Sequence, residues 1–440
     1  MTGSTARPET RTRRWRGHPI LPRKRPRHTW ILAVLAVIVL FLFTDKAEDT
    51  GCIHNVVIYG AAVLPHNCDS PVLARRQLSF DEFYTEYHSW KGRPVYHAYG
   101  WVVGNALVPM ALPLLSAVLP GAQSKERLWV FALVFNYHLA YFLLNIGVVV
   151  ACAWIAIRVS GLPPDSPAAV ALAAAVASTD IVEGGVWLMH TNIFNLLSAF
   201  GAVFFILLGM QRALLSRGEI LVAGFAVGLG ILTYPALVVL APAYVAGRLI
   251  GRLRIDGEGI GIGEEAAEIG LFFLCVAAAP LVWWACNRYL LDSATYMTAE
   301  RGQFVWLLEA FRAETLPQAL SNHAYSFGRQ LVRHSGIEAS LAALSIAVLV
   351  VANGRKALGR EAADPVIWAV LIAALGVLAF NFLQGYYAAR MHVAATYVLY
   401  AIVACLSRYG STQNLSALCL AIITVYQLGN AVTAYTVTGN

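Results

Sequence analysis

Residues 101–119 read WVVGNALVPMALPLLSAVL. The run is long and apolar enough to cross a membrane, yet it carries Pro109 and Pro113 and directly follows a long polar loop. If it spans, every later loop changes side. Further apolar runs lie near 30–44, 128–157, 167–178, 187–210, 220–238, 239–251, 268–290, 337–352, 365–382, 391–407 and 414–436. Skipping 101–119 places Arg158, Arg212, Arg217, Arg248, Arg252, Arg254, Arg355, Lys356, Arg360 and Arg408 in the cytoplasm; counting it places them all outside. The positive-inside bias of short loops decides for skipping it. The stretch is therefore expected as a membrane-surface or half-inserted helix. Eleven spans remain, with the N-terminus cytoplasmic and the C-terminus exterior.

The composition agrees. The 440 residues are 58% hydrophobic and 13% charged, against roughly 25% charged in a soluble domain. Long apolar runs, rather than short alternating ones, select helices over a β-barrel. The expected class is an all-α, polytopic protein of the inner (plasma) membrane. The net charge of +7 does not signal nucleic acid, because nine basic residues fall between Arg7 and Arg27 against the single acid Glu9. Such a tail (1–28) normally keeps an N-terminus in the cytoplasm. Trp30–Phe43 has the length of a signal-peptide core, but FTDKAEDTG offers no small-x-small cleavage site, so a short retained span is expected. Residues 29–440 then form one transmembrane domain, with exterior loops at 45–127 and 291–334.

Cys152, Cys275, Cys286, Cys405 and Cys419 lie in apolar runs and read as packing residues. Cys52 and Cys68 share the first exterior loop, where a disulfide can form. No Cys/His spacing of the metal-binding kind is present, so no cofactor is expected, with a divalent metal left open. RIDGEGIGIGEEAAE (254–268) has no strand before it and reads as a cytoplasmic linker rather than a nucleotide loop.

The acids concentrate on the exterior side. The first loop holds FDEFYTEYHSWKGRPVY (80–96), the second turn STDIVEGG (178–185), and a late turn QGYYAAR (384–390). Asp81, Glu82, Asp180, Glu183 and Arg390 thus share one face. Ser79 and Glu82 also fit a capping box, and a solvated helix cap, a polar turn and an interfacial anchor are the plain alternatives for these groups. In a sugar transfer, a carboxylate takes the acceptor hydroxyl's proton, and a cation stabilises the departing phosphate. Asp81 and Arg390 suit those roles, while Glu82 holds the helix. Tyr84, His97, Tyr386 and Tyr387 are candidate substrate contacts.

On these motifs the chain resembles the GT-C superfamily of membrane glycosyltransferases. They are Asp81-Glu82 with Tyr84, Gly92-Arg93-Pro94-Val95-Tyr96, the segment 223–242 with Gly224, Gly228, Leu232, Thr233 and Pro242, and YYAARMHVAATYVLYAIVA (386–404). It departs from the family at Tyr234, where a lysine is frequent, at the proline missing after Arg390, and at His97-Ala98-Tyr99-Gly100 in place of His-Pro-Pro-Leu. The resemblance implies a polyprenyl-phosphate sugar donor and a lipid, glycan or protein acceptor. It aligns Asp81 with the loop aspartate and Asp180 with a second exterior acid. A transporter or flippase of a lipid-linked substrate, and a non-catalytic envelope-assembly subunit, are the rival classes.

Overall fold

A computed structural model describes residues 28–41, 53–58, 62–67, 93–118, 125–187, 191–211, 214–254, 261–290, 304–354, 364–385, 389–409 and 412–438. In chain order the helices are α1 (Thr29–Leu40), α2 (Pro94–Val118), α3 (Lys125–Ser160), α4 (Pro167–Ala177), α5 (Asp180–Gly185), α6 (Phe194–Gly209), α7 (Arg217–Thr233), α8 (Leu240–Arg254), α9 (Ile262–Ala285), α10 (Val305–Arg312), α11 (Leu316–Asn353), α12 (Pro365–Gln384), α13 (Ala389–Tyr397), α14 (Leu399–Leu406) and α15 (Gln413–Thr438). The helical class stands, with one addition. Strands β1 (Ile53–Ile58) and β2 (Ala62–Asn67) form an antiparallel hairpin whose register runs from Ile58↔Ala62 to Ile53↔Asn67. The 45–127 loop, expected to hold interfacial helices, therefore contains this hairpin as well.

Among the described residues, seven helical segments are long and apolar enough to cross a membrane, and Thr29–Leu40, Pro167–Ala177 and Val393–Leu406 are shorter apolar helices. A multi-pass membrane protein follows; the count of eleven spans is not established by these lengths. The 101–119 run belongs to α2, which begins earlier, at Pro94. Helix α2 lies along the N-terminal half of α3: Gly100 sits against Tyr141 and Gly104 against Tyr137, an antiparallel pairing. Either glycine given a Cβ would collide with the facing ring. The 291–334 segment is not simply a loop, since it contains α10 and the first half of α11. With 38 residues, α11 is about 57 Å long, nearly twice a hydrocarbon core of about 30 Å.

Two short helices form the centre. In α4, Ala168, Ala169, Leu172, Ala173, Ala175, Val176 and Ala177 are all buried, and the small side chains let α1, α3 and α15 pack closely around it. In α14, the whole run Tyr400–Leu406 is buried. Longer helices surround these two and present Leu274, Leu281, Val282, Leu344, Val351 and Leu375 outward, as a lipid-facing surface requires.

The chain turns where its sequence demands. Ser216 and Glu219 make a capping box that starts α7. Pro235 ends it by forcing Tyr234 into an extended conformation. Asp364 caps α12 ahead of Pro365. The parallel pairs α6/α8 and α7/α9 approach backbone to backbone. A Cβ on Gly247 would strike the Ile206 carbonyl, and one on Gly228 would lie 2.6 Å from the Val276 carbonyl oxygen.

One end of the bundle gathers the basic residues. Buried Arg248 pairs with Glu268 and donates to the Gln211 carbonyl at 2.9 Å. Glu268 in turn accepts from the Tyr244 hydroxyl and from the Leu215 backbone at 2.8 Å. This lock ties α6, α7, α8 and α9 at one level. Arg408 pairs with Asp364 at 3.4 Å beside Gly161, and Asn353 donates to the Leu406 carbonyl, tying α3, α11, α12 and α14 likewise.

Candidate functional site

The site lies toward the other end, and the short central helices set its depth. Helix α4 has 11 residues, so it rises about 16 Å, roughly half of a hydrocarbon core. The chain then turns through α5 and a 3-10 turn, Thr191–Ile193, before α6 leads back. Asn145, about 22 Å along α3 from its Ser160 end, donates to the Gly185 and Val186 carbonyls at 3.0 and 3.3 Å. The re-entrant turn, described over 178–187 and 191–193, is thus held at an inner level of the bundle.

Asp180 opens α5. It keeps solvent access although protein surrounds it closely, as a side chain lining a recess does. Burial, followed by the charge of Glu338, pushes its carboxyl from the usual 3.8 up to about 6. Glu338 is itself buried, in the middle of α11. Both carboxylates act electrostatically on the hydroxyls of Tyr397 and Tyr400. Ser178 donates to Gln427 Oε1 at 2.6 Å, and Gln427 Nε2 donates to the Tyr400 hydroxyl at 3.0 Å. The Tyr400 proton is thereby left for another acceptor. The Tyr397 hydroxyl is buried and faces the backbone N–H of Asp180. Neither acid is in an ion pair among the described residues.

The second charged feature of the re-entrant turn is Arg93, half-buried just before α2. Its guanidinium donates to Thr191 Oγ1 at 2.5 Å and lies 5.3 Å from the centre of the Tyr234 ring, a cation–π distance. The Tyr234 hydroxyl donates to Asn195 Oδ1 at 3.1 Å. Tyr234 therefore packs against this arginine. Tyr96 stacks on Tyr141 at 4.5 Å and meets Phe194 edge-on at 6.1 Å. His97 is buried, and burial with the Arg93 charge lowers its pKa to about 3. It stays neutral at physiological pH, and its ring meets Tyr96 edge-on at 5.4 Å.

Of the residues singled out from the sequence, Asp81, Glu82, Tyr84, Tyr386, Tyr387, Cys52 and Cys68 lie outside the described residues. Arg390 sits in the first turn of α13, two turns before Tyr397, and α13 packs against α5. The helices carrying Arg390 and Asp180 are therefore neighbours. Glu183 is half-buried on α5. Glu338, Tyr397, Gln427 and Arg93 were missed as site residues. Glu338 is the only acid in the apolar stretch 337–352, and an acid inside a span is the signal that marks function. Among the described residues no cluster of three or more His, Cys, Asp or Glu side chains could hold a metal ion. No family model, curated protein or solved structure matches the chain.

Proposed function

We propose that the protein is an inverting glycosyltransferase. It moves a sugar from a polyprenyl-phosphate donor to a lipid, glycan or protein acceptor at the recess beside Asp180. One observation carries the reading: α13, which holds Arg390 in its first turn, packs on α5, which begins with Asp180, in a re-entrant turn sunk below one end of a membrane bundle. A lipid-linked donor keeps its chain in the bilayer and its phosphate near the interface, so an acid with an arginine on the neighbouring helix at that depth suits it. The basic end holding Arg158, Arg248, Arg252 and Arg408 is then cytoplasmic, and the site opens to the exterior, with the eleven-span arrangement expected from the sequence.

In the reaction a carboxylate removes the acceptor hydroxyl's proton. The acceptor oxygen bonds to the anomeric carbon, and the bond from that carbon to the phosphate oxygen breaks. The lipid monophosphate leaves with the electron pair, stabilised by an arginine. Asp81 stands as base by resemblance, and Asp180 by its place in the recess.

The paired acids favour a second reading, a proton-coupled transporter or flippase, because ionisable residues within a membrane bundle are its usual mark. Purified protein in liposomes separates the two. Supplied with a panel of polyprenyl-phosphate sugars, a transferase yields a new glycoside and free lipid phosphate. A flippase changes only the leaflet of the donor, and that outcome would replace the first reading.

A further inference from the structure

The geometry points to Arg93 and the N-terminus of α2 as the site that binds the phosphate of an amphiphile, the lipid-linked phosphate of the reading above. Three observations converge. No carboxylate among the described residues pairs with the guanidinium, whose described contacts are Thr191 and the Tyr234 ring. A half-buried cation without a counter-charge is costly unless an anion supplies it. Arg93 also caps a 25-residue helix. The first intrahelical bond runs from the His97 N–H to the Arg93 carbonyl, so the Val95 and Tyr96 N–H groups precede it at the positive end of the helix dipole. Finally, the Tyr96 hydroxyl feels the Arg93 charge, is buried, and has no partner among the described residues. Guanidinium fork, helix N-terminus and phenol together form an anion cradle.

Its position fits a lipid-borne group. Thr191, which orients Arg93, belongs to the same re-entrant turn as Asp180. Cation and acid therefore line one segment, as a leaving phosphate and an acceptor hydroxyl require. The binding role rests on the transferase reading only for the identity of the phosphate.

Binding of farnesyl monophosphate, farnesol and inorganic phosphate to the purified full chain in nanodiscs tests it. Wild type is expected to bind farnesyl monophosphate and not farnesol. Arg93→Gln should weaken binding at least about tenfold, the loss of one charge-assisted contact. Arg93→Lys should restore part of it, because lysine keeps the charge but not the fork. Thr191→Val, which leaves the arginine in place, should weaken it less, and this variant guards against a folding failure in Arg93→Gln. Equal affinity for inorganic phosphate supports the site and makes its ligand a free anion. Unchanged binding in Arg93→Gln, or binding that depends on Arg390 alone, overturns the assignment. Phosphate binding lost in Arg93→Gln, with no sugar transfer by wild type, keeps this site and removes the transferase reading. Sugar transfer in wild type, with binding and KM unchanged in Arg93→Gln, does the reverse.

Discussion

Replacing Arg248 by Met tests how the basic end of the bundle is built. Arg248 and Glu268 are 2% and 3% exposed, so solvent screens neither. The substitution removes the ion pair and the bond to the Gln211 carbonyl. Glu268 keeps the Tyr244 hydroxyl and the Leu215 N–H, but no cation. Breaking one side of a buried pair costs about 3–5 kcal/mol, chiefly from the stranded charge. The double variant Arg248→Met/Glu268→Leu strands nothing, and packed apolar replacements of such pairs are often neutral. Thermal unfolding in detergent should therefore show Arg248→Met falling by about 5–10 °C, with the double variant recovering most of the loss. A single variant as stable as wild type would refute the lock. A double variant as unstable as the single would show that packing, not charge, is lost.

Other consequences follow from particular contacts. If Asp180 is the base, transfer rises with pH through about 6, its raised value. Glu338→Gln removes a like charge and should move that midpoint to lower pH, read from the pH–rate profile. The same raised carboxyl prefers its proton in the folded chain, so Asp180 favours folding least above pH 6 and more as pH falls toward 4, which melting curves of wild type and Asp180→Asn compare. Gly228→Val forces a side chain against the Val276 carbonyl and should cost at least about 1–3 kcal/mol, measured as lost thermal stability. Reporter fusions after residues 122 and 215 should report exterior and interior respectively. Ile53 and Asn67, the last pair of the hairpin, adjoin Cys52 and Cys68 in sequence, so non-reducing peptide mapping should find those cysteines joined.

The long helices were legible because an apolar run of membrane length has few alternatives; α3 and α12 nearly match their runs. The half-length of α4 was visible in 167–178, yet its consequence was not. Only packing shows that a short helix with a re-entrant turn behind it carries Asp180 down into the bundle. Glu338 was hidden because its run starts at Ile337 and was read as one apolar block. Its depth follows from Leu316–Asn353 being one continuous helix, which puts Glu338 in mid-helix and not at an end. The break at Val398 between α13 and α14 is set by tertiary packing and has no proline or glycine to announce it. The hairpin had a signal, the facing segments IHNVVI and AVLPHN either side of the glycine-containing YGA, but the surrounding loop obscured it. Arg93 stood in the quoted Gly-Arg-Pro-Val-Tyr motif, where the glycine, proline and tyrosine drew the reading and the arginine did not.

The most direct measurement is sugar transfer by the purified protein from polyprenyl-phosphate sugars, comparing wild type with Asp180→Asn and Asp81→Asn at equal folded amounts. The recessed-site account predicts glycoside formation by wild type and a loss of about 10²–10⁴-fold when the proton-accepting carboxylate is removed. Transfer left intact in both variants, or no transfer by wild type from any donor of the panel, would contradict it.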